Sequence, residues 1–142
     1  MRKLVILLSL AAFLAACSTS NHAAINGTWT AALSDTNGTQ VFNFTTDLTA
    51  VSNNGLSVSN LHFNSQSACF PGTSTATGAF VVSGTFNGMS SGGFQLTVNS
   101  SSGGNQLQMN GTLNNNTVSG TWTLTGTTSG CTGSGTFVMN KS

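Results

Sequence analysis

The 142-residue chain predicts an all-β domain. About eight antiparallel strands follow one another as an up-and-down meander, closed or nearly closed into a barrel, with a two-sheet β-sandwich as the alternative. Three observations predict this. From Gly27 onward apolar residues alternate with polar ones at a period of two, the signature of strands with one buried face. The alternating runs are separated by short clusters of Asn, Gly, Ser and Asp, most of them of hairpin length. Residues that build polar helix faces are missing. There is no Glu, only one Lys lies beyond position 3, and charged residues make up 4% of the chain, whereas Ser, Thr, Asn and Gly together supply 75 of the 142 residues.

The chain opens on a segment of a different kind. Arg2 and Lys3 precede Leu4–Leu14, a run that is apolar apart from Ser9 and ends in Leu14-Ala15-Ala16-Cys17. A bilayer-spanning helix needs about 20 apolar residues, so the run has the length of a signal-peptide core. The Leu-Ala-Ala-Cys sequence resembles the lipobox of bacterial lipoproteins. That resemblance implies cleavage before Cys17, a diacylglyceryl group on its thiol and acylation of the new amino group, because two or more chains anchor stably where one is marginal. It divides the protein into residues 1–16, a cleaved signal peptide; residues 17–25, the lipidated N-terminus and tether; and residues 26–142, the β domain. In the sorting pattern of such lipoproteins an Asp after the cysteine retains the protein at the inner membrane. Ser18 stands there instead, which places the protein at the outer membrane of a two-membrane host.

The strands follow in order. Gly27–Leu33 puts Trp29, Ala31 and Leu33 on one face, and Gln40–Thr46 turns Phe42 and Phe44 inward. In Leu56–Phe63 the parity changes: Leu56 and Val58 share one phase, Leu61 and Phe63 the other. A one-residue bulge near Ser59-Asn60 brings all four to the same face. Thr77–Asn87 aligns Phe80, Val82 and Phe86 with Gly84, and Gly93–Ser100 aligns Phe94, Leu96 and Val98. Gln106–Asn114 aligns Leu107, Met109 and Leu113 with Gly111. Thr117–Thr125 aligns Val118, Trp122 and Leu124 with Gly120, and Gly133–Asn140 carries Phe137 and Met139. Glycines in line with strand aromatics mark bends or close backbone approach, which a curved sheet requires. The one long connection, Asn64–Ala76, holds the only proline, Pro71.

Closure follows from the lack of charge. An open sheet leaves two edges, and this chain has almost no charged residues with which to blunt them; a barrel removes the edges. With Cys17 assigned to lipid, Cys69 and Cys131 remain. In an exported protein they are expected to form a disulfide. A metal site is the competing assignment, but only two histidines are present and no CxxC or HxxH spacing occurs. In a meander both cysteines fall at the same end of the sheet.

The composition narrows the function. There is no basic patch for nucleic acid, and neither a cofactor nor a metal is predicted. Paired carboxylates could come only from Asp35 and Asp47, and both are read as turn caps. His62 alternates out of its strand's apolar face, His22 lies in the tether, and Lys141 is read as a solvated end. No Gly-x-Ser-x-Gly elbow is present. A hydrolase would need Asp47 and His62 to gather around a serine. The expectation is therefore a non-enzymatic, lipid-anchored cell-envelope protein with a structural or interaction role, whose expected partner is the membrane through a lipid on Cys17. The opening Gly27-Thr28-Trp29 also resembles the first strand of lipocalins and avidins. That resemblance implies an eight-stranded barrel and, as an alternative function, a module binding a small apolar ligand.

Overall fold

The computed structural model describes residues 24–64, 68–71, 74–86, 89–101 and 104–142. Residues 1–16, expected to be a signal peptide, and Cys17 and His22 lie outside the described residues. Eight strands follow in order: β1 (Gly27–Asp35), β2 (Gln40–Ala50), β3 (Gly55–Phe63), β4 (Ser74–Phe86), β5 (Met89–Ser100), β6 (Gln106–Asn114), β7 (Thr117–Thr125) and β8 (Gly133–Lys141). Each pairs antiparallel with the next, and β8 returns to pair with β1, so the sheet is a closed barrel rather than a sandwich.

The predicted inward residues form the core. Trp29, Ala31, Leu33, Phe44, Phe80, Phe94, Leu96, Val98, Leu107, Met109, Leu113, Val118, Trp122, Leu124, Phe137 and Met139 are all buried. The side chain of Phe86 lies outside the described residues. Three boundaries differ from the sequence reading by three or more residues. β2 runs on to Ala50, carrying Leu48 into the core. β4 starts at Ser74, which shortens the long connection. β5 starts at Met89, so Gly92 and Gly93 sit inside a strand instead of a turn. Gly92 is there because a Cβ would lie 2.6 Å from the Phe80 ring and 2.5 Å from the Val81 carbonyl oxygen.

The expected bulge is present and built from both sides. Thr45 pairs with His62 and Asp47 with Ser59, leaving Thr46 opposite two residues, Asn60 and Leu61. Asn60 takes a left-handed conformation (φ 58° at Asn53 and 51° at Asn60 mark such positions in β3 and the turn before it), a region that Asn tolerates better than most residues. On the inside, buried Thr46 donates its hydroxyl to the Ser59 carbonyl at 2.9 Å. On the outside, Asn60 donates its amide to Asp47 at 2.6 Å. The slip restores the apolar phase, and Leu56, Val58, Leu61 and Phe63 all pack on the core.

Candidate functional site

The first place to look for a site is the barrel interior, and its middle row is closely packed. Register places Phe80, Phe94, Gly111, Gly120, Phe137, Leu33 and Phe42 in one row around the wall. Gly111 and Gly120 leave no free space. A Cβ at Gly120 would lie 2.0 Å from the Asn110 carbonyl oxygen, and one at Gly111 would lie 2.8 Å from the Phe137 ring. Phe94 and Phe137, with centroids 6.2 Å apart, meet across the two glycines. Trp122 follows the same logic: it faces Gly135 across the ladder, packs edge-on against Phe42 at 5.9 Å, and donates its indole N–H to the Ser34 carbonyl at 2.8 Å.

Both ends are closed by the chain itself. At the end where the chain enters and leaves, Ile25 is fully buried although it was counted with the tether, and its carbonyl accepts the Trp29 indole N–H at 2.8 Å. Lys141 is not a free solvated end: its Nζ donates to the Ala24 carbonyl at 3.1 Å. Asn26 accepts the Ala50 backbone N–H at 2.7 Å. Three contacts thus hold residues 24–26 across this mouth.

The opposite end is closed by the long connection. Cys69 and Cys131 are joined as expected, with sulfurs 2.12 Å and Cα atoms 5.4 Å apart. The bond draws the β3–β4 connection toward the β7–β8 connection, across the mouth. Phe70, next to Cys69, is buried and stacks on Phe63 at 4.8 Å, and Phe63 packs on Phe44. Buried Asn105 ties the same end together, donating to the Cys69 carbonyl at 2.9 Å and to the Thr128 hydroxyl at 3.1 Å. A Cβ at Gly126 would collide with its amide oxygen, so a glycine must sit there.

The wall is least complete between β3 and β4. Their register comprises Gly55 with Ala79 and Leu56 with Gly78, and the Phe80 N–H bonds the Asn54 carbonyl beside them. Past Leu56 and Gly78, toward the disulfide end, no pairing between the two strands follows among the described residues. Several core residues that are only partly buried lie here: Val58, Leu61 and Phe63 on β3, and Ala76 on β4. The buried hydroxyl of Ser74, at the same end of β4, has no hydrogen-bond partner. Around the corner on the outer wall, Ala79, Val81, Gly93, Gln95 and Asn110 border a shallow hollow of about 230 Å³. A side chain at Gly93 would meet nothing within 4 Å.

No family model, curated protein or solved structure matches the chain.

The residues weighed for catalysis are dispersed. Asp35 caps its turn, accepting the backbone N–H groups of Asn37 at 2.8 Å and Thr39 at 2.9 Å. Asp47 is not at a strand end: it lies within β2, where it accepts from Thr28 at 2.6 Å and from Asn60 at 2.6 Å. The Thr28 hydrogen bond, then the Asn60 one, hold its carboxyl below the ordinary value of 3.8, against a small opposing effect of burial. His62 is exposed beside Thr45, and Asp47 is committed to the bulge rather than to His62. Among the described residues no three His, Cys, Asp or Glu side chains group to hold a metal. Ile25, Phe70, Thr46 and Asn105 escaped the sequence reading. Their signals were a lone apolar residue before Gly27, an aromatic next to a cysteine, and for Thr46 its place in phase with Phe42 and Phe44; Asn105 has no periodic mark.

Proposed function

We propose that the chain is a lipid-anchored protein of the bacterial cell envelope whose barrel acts by contact, as a structural or interaction domain, and not by catalysis. The observation that carries this reading is Leu14-Ala15-Ala16-Cys17 at the end of a short apolar run. The closely packed middle row and the segments that cross both ends weigh against the lipocalin-like alternative, which needs a cavity open to its ligand. The acids and His62 are engaged or dispersed, which supports a role without acid–base chemistry.

Anchoring also sets an orientation. Six residues lie between Cys17 and Ala24, a reach of at most about 25 Å for an extended chain. Residues 24–26 are fixed at the mouth shared by the termini. That mouth therefore faces the bilayer, and the disulfide end faces away from it. The test is labelling with radioactive palmitate in the producing cell, followed by fractionation. Wild-type protein is expected to take up label and sediment with membranes, and Cys17→Ala to do neither. A wild-type chain that carries no label would overturn the proposal.

A further inference from the structure

The interaction reading leaves open which surface makes contact, and the unfinished β3–β4 seam answers it. We infer that the seam between Ser57–Leu61 of β3 and Ser74–Thr77 of β4 is a strand-docking site, which takes an extended, uncharged polypeptide segment with alternating apolar residues. The inference rests on the interaction reading above and names its partner class.

The chemistry of the gap selects this occupant. Elsewhere in the wall each strand is paired along most of its length on both sides: β6, for instance, pairs eight residues with β5 and nine with β7. β3 and β4 share two register pairs and then part. Ser57–Ser59 stay in register with β2 and Ser74–Thr77 with β5, so up to the bulge at Asn60 the backbone at the gap is extended and presents ladder groups toward it. Backbone N–H and C=O groups in an extended row are best satisfied by another extended backbone. A lipid chain offers them nothing.

The side chains agree. Val58, Leu61 and Ala76 are partly buried beside the gap. An inserted strand would place every second residue on them and its other residues outward, beside Ser57, Ser59 and Thr77. The unpartnered Ser74 hydroxyl is a further polar contact at the end of the gap. His62 is the only ionisable side chain in Ser57–Phe63 and Ser74–Thr77, and no proline lies there. Exposed strand edges normally carry charges and prolines to repel strangers, and their near absence makes the edge receptive to a neutral strand and poor at attracting a charged one. Phe70, stacked on Phe63, closes the seam at the disulfide end and limits the length of a docked segment.

The experiment uses the full lipidated chain in detergent micelles. The probes are a fluorescent peptide of Thr-Val repeats, the same peptide with its central Val replaced by Pro, and oleic acid. Binding is read by anisotropy, and the site by amide hydrogen exchange. Without peptide, the amides of Ser57–Leu61 that do not bond to β2 are expected to exchange at least about tenfold faster than those of β6. The Thr-Val peptide is expected to bind saturably and to slow them. The Pro peptide and the Val58→Lys variant are expected to weaken binding by at least about tenfold, with the variant's circular dichroism unchanged. Should Val58→Lys fail to fold, the Pro peptide alone decides.

Several outcomes overturn the inference: equal binding of the two peptides, protection of the same amides by oleic acid instead of peptide, or slow exchange there before any addition. Protection that rises with protein concentration alone would assign the edge to a second copy and overturn it too. Each of these outcomes leaves palmitate labelling of Cys17 intact, so failure of the seam and failure of the anchored reading are separable.

Discussion

At the scale of single residues, polar side chains hold this fold by finishing what the backbone leaves undone. Thr46 is buried among apolar neighbours because the bulge at Asn60 leaves the Ser59 carbonyl in need of a donor. Thr46→Val keeps the shape and removes the donor, and is expected to cost about 1–3 kcal/mol in a denaturant titration. Asp47 and Asn60 brace the same bulge from outside. Because its hydrogen bonds lower the Asp47 pKa in the folded state, the associated stability is present above the ordinary value of 3.8 and is lost as pH falls through the folded value. Midpoints of urea unfolding are therefore expected to be flat from neutral pH to about 5 and to drop in strong acid. The drop is expected to be smaller in Asp47→Asn, and an equal drop in both proteins would contradict the assignment. The paired glycines are equally committed. With the Asn110 carbonyl oxygen 2.0 Å from the position of a Cβ, Gly120→Ala is expected to destabilise by about 1–3 kcal/mol or more, measured in the same way.

At the scale of elements, the disulfide connection is the piece that closes one mouth. Cys69 and Cys131 are 62 residues apart, and closing a loop of that size stabilises by about 4 kcal/mol in the chain-entropy model. The double variant Cys69→Ser, Cys131→Ser is expected to lower stability by about 2–5 kcal/mol. It is also expected to speed exchange of the Asn105 side-chain amide, which loses its fixed partner at the Cys69 carbonyl. All eight strands were legible in the sequence, because each carries two or more apolar residues at alternate positions, and even the β3 bulge showed as a change of phase between Val58 and Leu61. The two closures were less legible. Ile25 and Phe70 are single apolar residues outside any strand, and nothing periodic marks them. Asn105 follows two glycines and looks like any turn residue; its burial depends on three connections meeting, which local pattern does not encode. The β3–β4 seam was hidden for a related reason. Both strands alternate correctly, and only their register shows that they part after Leu56 and Gly78.

At the scale of the whole molecule, a nearly uncharged chain becomes a barrel because closure disposes of edges that it has no charges to protect. Among the described residues its shortest ladder is the one between β3 and β4. The N-terminal latch then ties the closed body to its tether: Trp29, Lys141 and Ala50 all hold residues 24–26. Lys141→Met, which keeps the stem over Gly27 but not the bond to the Ala24 carbonyl, is expected to loosen that segment with a loss of about 0.5–1.5 kcal/mol. Limited proteolysis ahead of Gly27 reads it directly, and unchanged cleavage would show that the latch is not held there. The central claim, that this barrel is carried on a lipid in place of its first residues, is tested most directly by the intact mass of the protein purified from membranes of its producing cell. The account predicts the mass of the 126 residues that remain when 16 of the 142 are removed, less two hydrogens for the disulfide, plus a diacylglyceryl group and an amide-linked acyl chain on Cys17. A mature chain that begins elsewhere, or that begins at Cys17 with a bare thiol and amine, would contradict it.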